Sequence, residues 1–251
     1  MISRILRTVI AVAALQGTGS TQAADLVVSA AASLTNAFTE IGKEFERSHP
    51  ATKVLFNFGG SGQLLQQIAK GAPVDAFASA DQETMDQAQS QGLIDAASRY
   101  NFVSNALVVV VPKQSRLDLS SLGQLSSGEI GHIAIGNPAS VPVGRYSKAV
   151  LVAAGQWNSL EPKLINTQNV RQSLDYVARR EVEAAFVYRT DAALLPDKVR
   201  IALEVPTATP ILYPIATIKG ASNSAQARQF VQFVHSDAAR KILQNYGFGK
   251  P

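Results

Sequence analysis

Four turns in this chain place small or polar residues where a strand gives way to a helix. Ser33 follows Ala30-Ala31-Ala32, and Gly59-Gly60-Ser61-Gly62 opens a second helix. Val141-Pro142-Val143-Gly144 opens a third and Thr167-Gln168-Asn169-Val170 a fourth. Small residues there let a ligand approach bare backbone N–H groups, the donors that a helix start leaves unpartnered. Each helix N-terminus acts as roughly +0.5 of a charge, so four converging would present about +2 without a lysine or arginine. The complement of that arrangement is a compact dianion. Tyr188 follows the apolar run 184–187 and so falls at the ligand edge of a parallel sheet.

The same residues admit other readings. Ser33 and Ser61 are also ordinary helix-capping types, and Tyr188 also reads as core. The glycines around Ser61 lack the Gly-Lys-Ser/Thr ending of a phosphate loop, and their spacing is not Gly-x-Gly-x-x-Gly. The enzymatic alternative is a secreted serine hydrolase using Ser61. However, Gly60-Ser61-Gly62-Gln63 is not the Gly-x-Ser-x-Gly elbow, and such an enzyme needs a histidine base beside its nucleophile. His49 adjoins Pro50 at a helix exit, His132 begins a strand and His235 ends a helix, which makes each structural or exposed. Asp75 and Asp81 flank a strand, and Asp81 reads as a helix cap rather than half of a catalytic carboxylate pair.

These turns need elements to hold them. Short apolar runs at 26–30, 54–58, 76–79, 107–111, 133–135, 184–187, 199–203 and 212–218 read as strands, several of them covered on both faces. Helical patterns lie between them. Leu34, Phe38, Ile41 and Phe45 recur at spacings that make one helical face. The alternation predicts α/β architecture with mixed, mostly parallel sheets and crossover helices. Segments 105–112 and 210–217 are extended, apolar and bounded by proline, so they read as crossings between two lobes. The expected division is lobe one at 24–105 plus 216–251 and lobe two at 106–215, joined by a two-strand hinge with a cleft between them.

Composition narrows the function. The chain has 251 residues, 46% of them hydrophobic, enough for a core or two. Only 17% are charged, and the net charge of +4 drops to +2 without Arg4 and Arg7, too little to imply nucleic acid. There is no cysteine, which removes disulfides, thiolate metal sites, lipid anchors and cysteine nucleophiles together. Three scattered histidines do not make a metal cage. Arg4 and Arg7, the apolar run 8–15 and the small, polar 17–24 follow secretory signal grammar, with cleavage expected after Ala23. The apolar run of about 8 residues is far short of the roughly 20 of a membrane span. A soluble, exported, periplasmic protein is expected. The export signal also disfavours a regulator's effector domain, since it stands where a DNA-binding helix pair would.

The chain resembles the periplasmic molybdate-binding proteins of bacterial ABC importers over essentially its whole mature length. The resemblance is carried by Ala30-Ala31-Ala32-Ser33-Leu34-Thr35-Asn36-Ala37, Phe58-Gly59-Gly60-Ser61-Gly62 and the stretch from Gly71 to Asp81. Val141-Pro142-Val143-Gly144-Arg145-Tyr146, Asn169-Val170-Arg171, Phe186-Val187-Tyr188 and Tyr246-Gly247-Phe248 complete it. It implies a type II-like two-lobed fold in which two serines, two backbone N–H groups and one tyrosine hold the oxyanion. Carried over by position, these are Ser33, Ser61, Val143, Val170 and Tyr188. Some similar chains carry alanine where Val143 stands, and others have a serine-rich turn where only Ser61 keeps a hydroxyl here. The resemblance implies a non-enzymatic monomer with no cofactor, binding molybdate and tungstate and delivering them to a membrane permease. A receptor for sulfate, phosphate or an organic anion is the neighbouring alternative.

Overall fold

The computed structural model describes residues 24–251, so the expected signal segment lies outside the described residues. Lobe one begins with β1 (Ala24–Ala31), α1 (Thr35–Ser48), β2 (Thr52–Gly59), α2 (Ser61–Ala69), β3 (Ala76–Ala78), α3 (Gln82–Ser90) and β4 (Tyr100–Asn105). The chain then passes into lobe two. This holds β5 (Leu107–Pro112), β6 (Ile133–Gly136), α4 (Pro142–Ala153), α5 (Trp157–Leu160), β7 (Leu164–Thr167), α6 (Val170–Ala178), β8 (Ala184–Tyr188), α7 (Arg189–Ala192) and β9 (Val199–Val205). It returns to lobe one with β10 (Ile211–Thr217), α8 (Ser224–Val234) and α9 (Asp237–Asn245). No helix among the described residues is long and apolar enough to cross a membrane.

The two sheets share one plan. Sheet one runs β2-β1-β3-β10-β4 and sheet two runs β7-β6-β8-β5-β9. In each, a βαβαβ unit supplies three parallel strands, and the strand that has just crossed the hinge docks antiparallel beside them. Parallel pairings are therefore half of the total rather than the majority, because β10 and β5 each arrive from the opposite lobe. Sheet membership changes at Ala106 and again within 206–210. The second crossing is earlier than the expected 215, and all of Ile211–Thr217 belongs to sheet one, where it pairs on both sides with β3 and β4. An apolar run is what a strand buried between two neighbours needs, so its composition did not mark a hinge.

Two strands have no counterpart among the expected runs, β4 and β7. Both are sheet edges. An edge strand is half solvated, and the sequences Tyr-Asn-Phe-Val-Ser-Asn and Leu-Ile-Asn-Thr carry polar residues instead of a continuous apolar run.

The core follows the helical stripes. Leu34, Phe38, Ile41 and Phe45 are all fully buried. Phe230 and Phe233 of α8 meet Phe45 edge-on, with centroids 5.3 and 5.5 Å away. The C-terminal helices therefore pack on lobe one, as the sequence led one to expect.

Register sets the functional edge. Ala31 of β1 lies beside Gly59 of β2, and Ala30 beside Ala78 of β3. The turns leaving these strands emerge together at the C-terminal edge of sheet one. In lobe two Gly136 pairs with Thr167, so the turns into α4 and α6 emerge together as well. Gly144 lets α4 sit this close to β6, since a Cβ there would lie 1.8 Å from the Gly136 carbonyl oxygen.

Candidate functional site

The two sheet edges face each other across one small cavity of about 10 Å³. Lobe one lines it with Ala31, Ala32, Ser33, Gly59, Gly60, Ser61 and Ala80; lobe two with Val141, Pro142, Val143, Asn169, Val170 and Tyr188. All five residues singled out in the sequence thus surround the same space, and all five are buried. The volume is far below the roughly 300–1,000 Å³ typical of drug-sized ligand sites and about the room of a single water. It excludes ligands of more than a few atoms.

Three α-helices begin at this cavity: α2 with Ser61, α4 with Pro142 and Val143, and α6 with Val170. The fourth start is a 3-10 turn, Ala32–Leu34, that leads into α1. Pro142 fits the first position of α4, where no N–H is needed. The Asn169 side chain caps α6 by accepting from the N–H groups of Arg171 and Gln172, 3.0 and 3.1 Å away. The Val170 N–H is not among the groups it takes, and Val143 likewise occupies the first turn of α4, where N–H groups have no intrahelical acceptor. No cationic side chain lines the cavity. Its positive character comes from helix starts and neutral hydroxyls.

Neither serine is an ordinary cap. Gly60 is the N-cap of α2, and Ser61 is its first residue; Ala31 precedes the turn that holds Ser33. The Ser61 hydroxyl oxygen accepts instead from the Ala80 N–H, 3.1 Å away. The Ser33 hydroxyl lies 3.0 Å from the Tyr213 hydroxyl on β10. The capping reading of the two serines is therefore replaced by one in which the Ser61 oxygen accepts from backbone and the Ser33 hydroxyl pairs with the Tyr213 hydroxyl. Asp81 does cap α3, accepting from Thr84 N–H.

Tyr188 ends β8 and is 1% exposed. Among the described residues its hydroxyl is the one buried side-chain polar atom without a hydrogen-bond partner. Burial first, then the nearby Tyr213, Tyr146, Asp81 and Asp191, pushes the phenol well above its ordinary range. It stays a neutral O–H, able to donate. A buried donor with nothing to donate to costs roughly 1–3 kcal/mol unless a ligand supplies the acceptor.

Two arginines at early positions of α4 and α6, Arg145 and Arg171, tie the lobes together around this space. From α4, Arg145 reaches Asp81 of lobe one with Nε at 2.7 Å and a terminal nitrogen at 2.6 Å, and touches Thr84 Oγ1 at 2.6 Å. From α6, Arg171 holds the buried Asp191 at 2.6 Å, Asn36 Oδ1 at 2.8 Å and the Ser33 carbonyl oxygen at 3.1 Å. Asp191 also accepts from the Tyr188 N–H at 3.3 Å. Desolvation pushes the Asp191 carboxyl up, and the Arg171 guanidinium pulls it back. A signal for both arginines was available: a cation in the first turns of a helix opposes the dipole and so implies a carboxylate nearby. The lobes also meet through backbone, with the Gly62 N–H donating to the Ser140 carbonyl at 2.9 Å.

The three histidines lie elsewhere. His49 stacks on Phe45 at 4.1 Å, His235 meets Tyr100 edge-on at 5.1 Å, and the His132 backbone N–H donates to Glu183. None lines the cavity, so no serine–histidine pair is assembled at Ser61.

The chain is similar to the molybdate-binding protein ModA of Escherichia coli, 36% identical over 242 residues, covering 94% of this chain and 93% of that one. It is 31% identical to the molybdate-binding protein ModA of Haemophilus influenzae over 229 residues, 90% of each chain. The solved periplasmic molybdate-binding protein of Azotobacter vinelandii superposes with a TM-score of 0.79 over 90% of this chain and 99% of that one, at 24% identity, which establishes the two-lobed fold. The pattern described as bacterial extracellular solute-binding protein matches residues 26–249, and the chain belongs to that family.

Proposed function

We propose that this protein captures molybdate, and tungstate, in the closed cavity between its lobes and hands the anion to the membrane permease of an ABC importer. The reading places it in the periplasm as a monomer after export, with no chemistry performed on the anion. One observation carries it. The Tyr188 hydroxyl is buried without a partner in a cavity that otherwise offers serine hydroxyls, backbone N–H groups and no charged side chain. Ser33, Ser61, Val143 N–H, Val170 N–H and Tyr188 then form a ring of donors, the complement of a small, fully deprotonated dianion. Relatives at 36% and 31% identity are named molybdate-binding, which supports the choice of ion.

Size separates the candidate anions. A fixed ring of donors has one radius at which every hydrogen bond reaches good length. Sulfate is smaller than molybdate, and in a ring sized for the larger ion it would leave donors buried and unpartnered, at about 1–3 kcal/mol each. Phosphate near neutral pH carries a proton for which a ring of donors has no acceptor.

Thermal unfolding and competition calorimetry test this. A ligand at about 100 times its dissociation constant adds roughly 2.7 kcal/mol, which raises the midpoint of a chain this long by roughly 5–11 °C. Molybdate and tungstate should both do so, with sulfate and phosphate bound at least about a hundredfold more weakly. No shift with either heavy oxyanion, or displacement of molybdate by equimolar sulfate, overturns the reading.

A further inference from the structure

Hydroxyls differ from backbone N–H groups in one way that bears on selectivity: they accept as well as donate. A pocket that rejects protonated anions must hold its hydroxyls as donors. Ser61 is held by backbone, because the Ala80 N–H occupies its oxygen. Ser33 has no such backbone donor. Its oxygen faces the fully buried Tyr213, whose hydroxyl lies 3.2 Å from Asn105 Nδ2.

The direction of this chain of bonds is decided at Asn105. Its Oδ1 accepts the Ala106 N–H at 2.9 Å, so the NH2 must point the other way. There it donates to Thr190 Oγ1 at 2.9 Å and to the Tyr213 oxygen. With Asn105 donating to it, the phenol turns its own proton toward its other partner, Ser33 Oγ. Burial holds that proton on Tyr213. The serine proton is then left over, and the remaining open direction is the cavity.

We propose that Asn105 and Tyr213 are positioning residues forming a directed relay, which fixes Ser33 as a donor toward the ligand and sets selectivity against singly protonated oxyanions. The proposal rests on the oxyanion reading of Ser33. Asn105 is also the last residue of β4, immediately before the first crossing between lobes, so the relay starts at the hinge and ends at the ligand.

A double-mutant cycle tests it, with molybdate and hydrogen phosphate as probes at pH 8, where both are dianions, in calorimetry on the full mature chain. Tyr213→Phe should weaken molybdate by about 2- to 10-fold. In a Ser33→Ala background the same change should do nothing beyond about twofold, because the serine through which it acts is gone. The ratio of molybdate to hydrogen phosphate affinity should fall in Tyr213→Phe. Asn105→Asp provides a second variant that keeps side-chain shape: its carboxylate still accepts from Ala106 but now accepts from Tyr213 as well, which reverses the relay. The new charge repels both dianions alike, so a lowered ratio reads the relay rather than the charge. Equal losses from Tyr213→Phe in both backgrounds, or an unchanged ratio in both variants, overturns the relay while Ser33 remains a ligand. If Ser33→Ala alone leaves molybdate affinity unchanged, the oxyanion reading of Ser33 falls and takes the relay with it. Melting of the ligand-free variants reports folding separately.

Discussion

Lobe one reaches the cavity with two serine side chains, whose oxygens are occupied from behind by the Ala80 N–H and the Tyr213 hydroxyl. Lobe two reaches it with the first turns of α4 and α6 and with a tyrosine hydroxyl that has no protein partner. The first set depends on residue identity, because removing a hydroxyl removes a donor. The second depends mostly on backbone, and a backbone N–H survives any substitution except proline. The half of the site that mutation edits most freely is therefore lobe one plus Tyr188. Val143 and Val170 matter there for the helix starts they occupy, and their side chains matter for packing.

The sharpest test of this division removes both lobe-one hydroxyls. Each hydrogen bond to a charged group is worth roughly 1.5–3 kcal/mol, so Ser33→Ala combined with Ser61→Ala should weaken molybdate by about 10²- to 10⁴-fold in calorimetry. Ser61→Ala should also lower the ligand-free melting midpoint, since it leaves the buried Ala80 N–H without an acceptor.

Tyr188→Phe should show opposite signs in two measurements. Affinity should fall by about 10- to 100-fold. The ligand-free midpoint should hold or rise, because the deleted hydroxyl has no protein partner to lose. A lowered midpoint with unchanged affinity would make Tyr188 part of the core and leave lobe two only the N–H groups at the starts of α4 and α6.

Gly62→Ala probes the meeting of the lobes. A Cβ on Gly62 would lie 2.6 Å from the Ser140 carbonyl oxygen across the cleft. The variant should keep the lobes apart, weaken molybdate at least about tenfold, and abolish any ligand-induced fall in the radius of gyration seen by small-angle scattering. Normal closure in this variant would mean that the backbone contact yields easily.

The smallest effect on binding belongs to Val143→Ala. Its affinity should stay within about threefold of the parent, because the N–H is retained. The loss of two buried methyl groups should still lower the midpoint by about 3–6 °C. A loss as large as that of a serine variant would erase the contrast between the lobes.

The features legible in the sequence were those written in consecutive residues. The turns at Ser33, Ser61, Val143 and Val170 announced themselves through glycine, proline and small residues next to apolar runs, and register brought them to one place. Polar edge strands and the second crossing were not legible, because solvation removes the apolar run from β4 and β7 and double-sided pairing restores it to β10. The support behind the site was hidden for another reason. Ser33 and Tyr213 are 180 residues apart, and Arg171 and Ser33 138, so no local pattern links them. Only the unfavourable placement of Arg145 and Arg171 in early helical turns hinted at partners across the cleft.

The exchange of strands between lobes also bears on how the chain acquires its shape as it emerges N-terminus first. Sheet two is made from one uninterrupted stretch, β5 to β9, and can close its hydrogen-bond ladders as soon as residue 205 is available. Sheet one cannot. Between β3 and β4 there is a gap that only β10 fills, so its first 105 residues hold two unpaired strand edges until residues 211–217 arrive. The lobe begun first is finished last. A chain halted before residue 211 should carry a folded second lobe and an open, protease-sensitive first one, a delay that leaves the N-terminal half pliable until residues 211–217 are available.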